Sequence, residues 1–218
     1  MEPFLTILGT AHLEKILGKG SPDGTFKEWR FSRELCRNIR TILDSRGVPC
    51  IIDHLAANIH YPRSCNQKEL QKLELFDRVQ LVNSYASLFG KDNIIYVSCH
   101  VNASGMGDRW MPNRGWCCHT SRGRTKSDAL ADLFYAEAEK ILPKGTTFYE
   151  DWSDGDPDIE SGLYVLSNTA CPAVLTENFF MDNLEDLKYL QSGTGMTEIA
   201  TLHANAIYRY FQMERLAK

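Results

Sequence analysis

Ile94-Ile95-Tyr96-Val97-Ser98-Cys99 is a nearly unbroken apolar run that ends at His100. A half-buried strand alternates apolar and polar residues. A strand covered on both faces has no polar positions to offer, so this run predicts the buried centre of a parallel sheet. Upstream, Leu73 to Phe89 has helical periodicity and stops at Gly90. Phe4-Leu5-Thr6-Ile7-Leu8, halted by Gly9, and Val48 to Asp53 predict two more strands. Between these two lies a helix over Glu28 to Arg46. Its stripe is Phe31, Leu35, Ile39, Ile42 and Leu43, and Gly47 is its stop. Downstream, Trp116 to His119, Leu163 to Leu166 and Ala173 to Thr176 read as strands, while Ser127 to Leu142, Leu184 to Leu190 and Thr197 to Phe211 read as helices. Strands alternating with helices predict a mostly parallel sheet covered on both sides, in one continuous α/β domain.

Composition narrows the function. The 218 residues carry a net charge of -4, with an isoelectric point near 5.9. Phosphate neutralisation needs a basic surface, so a dedicated nucleic-acid binder is not expected. No run approaches the length of a membrane span, and Met1-Glu2-Pro3-Phe4 lacks the layout of a signal peptide. The seven cysteines include no Cys-x-x-Cys pair. They suggest neither a disulfide framework nor a thiolate zinc site, and a reducing compartment is the simplest expectation. Arg109, Arg114, Arg122, Arg124 and Lys126 read as a solvated loop face, and the acidic loop 151–160 lacks EF-hand spacing.

Open parallel sheets place their functional crevice beyond the carboxyl ends of the strands. His12 lies four residues after the first strand, His100 directly follows the most buried one, and Glu177 ends the strand begun after Pro172. Glu28 opens the first helix on the same face as Phe31 and Leu35, whereas Glu34 falls on the flank. A carboxylate on an inward face is costly unless paired or bound to a metal. Two histidines and a carboxylate form a catalytic zinc set with an open position, and Glu177 would then be the general base. Each residue also fits a plainer role: a hydrogen-bonded structural histidine, a helix-dipole glutamate or a loop carboxylate. His54 and His119 also follow strands, so position alone does not separate them from His12 and His100. The sequence contains no His-Glu-x-x-His helix, no Gly-x-Ser-x-Gly elbow and no phosphate-binding Gly-x-x-x-x-Gly-Lys loop.

Three segments carry a family resemblance. Pro172-Ala173-Val174-Leu175-Thr176-Glu177, trailed by Phe180 and Asn183, is the first. Ser98-Cys99-His100-Val101-Asn102-Ala103 is the second, and Lys27-Glu28 opening a helix is the third. Over nearly its whole length the chain resembles the zinc-dependent N-acetylmuramoyl-L-alanine amidases of bacterial peptidoglycan, the type 3 amidases. It departs from them around His12. The family places Asp-Pro-Gly before this histidine and glycines directly after it. Here Leu8-Gly9-Thr10-Ala11 precedes it, Leu13-Glu14-Lys15 follows, and the glycines arrive at Gly18 and Gly20. Glu14 thereby becomes a minor rival ligand.

The resemblance implies Zn²⁺ bound by His12, Glu28 and His100, with Glu177 as the catalytic carboxylate. It implies one catalytic domain over residues 1–218, with a mostly parallel sheet of about six strands flanked by helices. The implied reaction is hydrolysis of the amide between N-acetylmuramic acid and the L-alanine of the stem peptide. Asn102 is a candidate for orienting substrate, or equally a strand-end turn residue. Peptidoglycan is the implied partner, with no nucleic acid, no membrane span and a monomer as default. Without a visible signal peptide, a phage or prophage lysin held in the cytoplasm until released to the wall is expected, or export by another route. The alternatives are a related zinc exopeptidase or deacylase and an inactive cell-wall-binding protein.

Overall fold

The computed structural model describes residues 4–53 and 65–216. Its strands are β1 (Leu5–Thr10), β2 (Cys50–Ile52), β3 (Ile94–Asn102), β4 (Trp116–Ser121), β5 (Ile159–Ser161) and β6 (Ala173–Phe180). Its helices are α1 (Glu28–Ser45), α2 (Gln67–Phe89), α3 (Lys126–Ile141), α4 (Tyr164–Asn168), α5 (Leu184–Leu190) and α6 (Gly193–Leu216). The strands form one sheet in the order β2-β1-β3-β6-β4-β5. All neighbours are parallel except β4 and β6, which run antiparallel. The expected α/β architecture with a mostly parallel six-stranded sheet is therefore present.

The continuous apolar run of β3 has a direct cause. Ile95, Val97, Cys99 and Val101 face a core built with α1, α3 and α6. Ile94 and Tyr96 face a second core, built with α2 and α4. Gly9 in β1 is required by its neighbour: a β-carbon there would lie 2.3 Å from the Tyr96 hydroxyl oxygen. That hydroxyl donates to Asp53 at 3.2 Å.

Three expectations need correction. Leu163 to Leu166 is not a strand; it enters helix α4, with Leu163 at the cap. Val165 and Leu166 are both buried while Leu163 and Tyr164 are exposed, a pattern that one face of a helix allows and an alternating strand does not. The sixth strand is instead β5, which begins at the end of the acidic loop. Helix α2 starts at Gln67 rather than Leu73, because Asn66 and Glu69 form a capping box ahead of its polar first turns. Finally, β3 and β6 run past their apolar cores, so His100 and Glu177 lie within strands rather than just after them.

Candidate metal centre

Sheet register assembles half of the site. His100 on β3 pairs directly with Glu177 on β6, and Cys117 on β4 pairs with Glu177 from the other side. His12 arrives two residues beyond β1, in a left-handed backbone conformation with φ of 43°. Glu28 is the first residue of α1, and its amide donates to the Lys19 carbonyl at 3.2 Å. The loop after His12 is thereby tied to the helix N-terminus. These segments come from different layers, yet their side chains meet. The ring centroids of His12 and His100 lie 5.1 Å apart. His100 Nδ1 is 3.0 Å from Glu28 Oε1, and His12 Nε2 is 3.6 Å from Glu28 Oε2. One donor atom from each of His12, Glu28 and His100 lies within 4.8 Å of the others.

The surroundings tune these groups in opposite directions. Burial works against ionisation of Glu28. The hydrogen bond from His100, the nearby histidine charges and the Val101 amide outweigh it and hold the carboxyl below its usual range. Burial lowers His12, despite its contact with Glu74, which keeps the ring neutral as a metal ligand must be. Glu177 goes the other way. Burial, reinforced by the charge of Glu28, pushes it well above the usual carboxylate range, with Lys19 opposing. Its Oε2 is buried and has no hydrogen-bond partner among the described residues. Two carboxyl groups driven apart in this manner are chemically suited to different tasks, the lowered one to staying anionic and the raised one to holding a proton.

Two imidazoles and a carboxylate are the donor set of an open, catalytic zinc site. The unsatisfied Glu177 oxygen fits a position beside such an ion, so the residues present suit the metal. They line a cleft of about 330 Å³, to which Lys19 and Asn102 contribute polar groups and Met106 and Met181 apolar ones. Asn102 Oδ1 accepts from the Ala103 amide at 2.8 Å.

Other sequence candidates fall outside. Glu14 is exposed and is not part of the three-residue cluster, so it is not brought in as a rival ligand. His119 lies on β4 with Nε2 3.5 Å from Cys117 Sγ. His54 lies outside the described residues. Sequence reasoning missed Glu74 on α2. It is 1% exposed, and its Oε1 sits 3.2 Å from His12 Nδ1. Its only signal was a carboxylate four residues before Arg78 on a helix, which resembles an ordinary surface pair.

Comparison with known proteins then decides the family. The profile of the N-acetylmuramoyl-L-alanine amidases matches residues 7–209. The chain belongs to the N-acetylmuramoyl-L-alanine amidase family. Amidase CwlM of Bacillus licheniformis is 29% identical over 150 residues, which cover 67% of this chain and 50% of that protein. The endolysin of Bacillus phage SPP1 is 28% identical over 198 residues, covering 90% of this chain and 62% of that protein. This family member thus spans 50% and 62% of the length of these two curated relatives. Among solved structures, the CwlD amidase from Clostridioides difficile, in complex with the GerS lipoprotein, superposes with a TM-score of 0.79 at 18% identity. That match covers 96% of this chain and 99% of CwlD, and it bears on the fold.

Proposed function

We propose that residues 1–218 form a zinc-dependent peptidoglycan amidase domain that cleaves the bond between the lactyl group of N-acetylmuramic acid and the L-alanine of the stem peptide. The observation that carries this reading is the convergence of His12, Glu28 and His100 donors within 4.8 Å, beside the unpartnered Glu177 oxygen. Family membership supports the choice of substrate.

In this reading His12, Glu28 and His100 hold the ion. When bound, Zn²⁺ supplies Lewis acidity to the scissile carbonyl and acidity to a water. The rest of the chemistry falls to the protein. Glu177, ionised once a nearby cation offsets its burial and the repulsion from Glu28, accepts the attacking water's proton and returns it to the leaving amine of L-alanine. Burial disfavours the charged form of His12, which keeps its ligand nitrogen free of a proton. The cleft floor formed by paired β3 and β6 fixes Glu177 against His100, so base and ligands hold their spacing as substrate enters. Likeness to a phage endolysin supports a lysin-like role at the cell wall.

The test uses purified sacculi with metal-free and zinc-loaded protein. The expected products are stem peptides with a free alanine amine and intact glycan strands, formed only with metal. Cleavage confined to free peptides would favour an exopeptidase or deacylase. Sacculus binding without metal uptake or turnover would indicate an inactive wall-binding protein.

A further inference from the structure

Glu74 is a buried carboxylate that neither the ligand set nor the proposed base uses. It approaches His12 from the edge opposite the cluster. Glu74 Oε1 lies 3.2 Å from His12 Nδ1, whereas Glu28 Oε2 faces His12 Nε2 at 3.6 Å. The two ring nitrogens of an imidazole point away from one another, so Glu74 is excluded from sharing an ion with Glu28 and His100. A carboxylate only accepts, so the His12 nitrogen facing it must carry the proton. The other nitrogen, directed at the cluster, then presents its lone pair.

We propose that Glu74 is a positioning residue that fixes His12 as the Nδ1–H tautomer and commits its Nε2 to the metal. This rests on the functional reading above.

The support behind Glu74 is itself built. Arg78, one turn further along α2, places Nη2 3.9 Å from Glu74 Oε2 and donates from Nη1 to Asp53 Oδ2 at 2.6 Å. Asp53 Oδ1 in turn accepts from the Thr10 amide at 2.7 Å and from its hydroxyl at 2.9 Å. Ser32 on α1 accepts from the Ala11 amide at 2.7 Å. The chain is therefore clamped on both residues before His12, and its ring is clamped by Glu74. A non-glycine residue at φ of 43° persists only where its surroundings over-determine it. These contacts do so, in a chain that lacks glycines directly after this histidine.

The experiment compares the full chain with Glu74→Gln, which keeps shape and burial but can donate as well as accept and so no longer dictates the tautomer. Zn²⁺ affinity is measured by competition with a chromophoric chelator, and the tautomer of metal-free protein by ¹⁵N NMR of labelled histidines at pH 8. The expected result is an Nδ1–H tautomer for His12 in the parent chain, and a roughly 10- to 100-fold weaker Zn²⁺ affinity in folded Glu74→Gln. Equal affinities would overturn the role of Glu74 and leave the amidase reading standing. An Nε2–H tautomer in the parent chain would overturn it even if the variant failed to fold. A parent chain that takes up no Zn²⁺ would remove the functional reading and this inference together.

Discussion

Replacing Glu177 with glutamine separates the base from the ligands. Glutamine preserves shape at a position paired across the sheet with both His100 and Cys117, but it cannot take a proton. Loss of a general base typically lowers the rate about 10²- to 10⁴-fold, equivalent to roughly 2.7–5.4 kcal/mol of transition-state stabilisation. Zinc stoichiometry should stay at that of the parent, because Glu177 is outside the cluster of His12, Glu28 and His100. Stability without metal gives a second readout. Burial and the charge of Glu28 raise Glu177 in the folded state above its unfolded value. Its favourable contribution is therefore complete below the unfolded carboxylate range near pH ~4.3, and is lost as pH climbs through the raised folded value. Glu177→Gln should flatten that part of the metal-free stability profile and melt above the parent at alkaline pH. The assays are alanine-amine release from sacculi, metal analysis, and melting temperature against pH. Near-parental hydrolysis by Glu177→Gln would refute the assignment of the base, and loss of zinc would move Glu177 into the ligand set.

Further expectations follow from the same geometry. His100→Ala should lose bound zinc; full metal stoichiometry in that variant would remove His100 from the ligand set. Arg78→Met would strand Asp53 and Glu74, both buried, and should cost about 3–5 kcal/mol, read as a melting temperature roughly 6–20 °C lower. Gly9→Ala would drive a β-carbon to 2.3 Å from the Tyr96 hydroxyl oxygen, a clash against a buried ring that should destabilise by about 1–3 kcal/mol in chemical denaturation. Asp158 is buried against Thr120, and burial together with Asp156 and Asp128 raises it to about 7. Its contribution is full below pH ~4 and fades as pH rises through about 7, so Asp158→Asn should gain on the parent in melting temperature between pH 5 and pH 8. A constant gap across that range would contradict the assignment.

Much of this protein was legible without coordinates because its decisive signals are local. The apolar run from Ile94 to Cys99 predicts a strand buried on both faces, since only a sheet with helices on both sides leaves no polar positions. The stripe on α1 places Glu28 among inward residues, where a carboxylate needs a partner. Family motifs around His100 and Glu177 named the remaining site residues. What the chain did not disclose depends on neighbours distant in sequence. Leu163 to Leu166 is apolar enough for either state, and α2 decided it by burying Val165 and Leu166 together. The three residues of β5, Ile159 to Ser161, hold a single apolar residue and no alternating run, and become a strand by pairing with β4. Glu14 stands in the sequence as a minor rival to His12, and the turn after β1 buries His12 and exposes Glu14. Glu74 is the extreme case: as a charge on an amphipathic helix it looks solvated. It becomes part of the site only because α2 crosses the end of β1 and sets its carboxylate against the outer nitrogen of His12. Local pattern determines which side chains can enter an interior, while the packing of separate layers determines which of them meet there, and chemistry depends on the meeting.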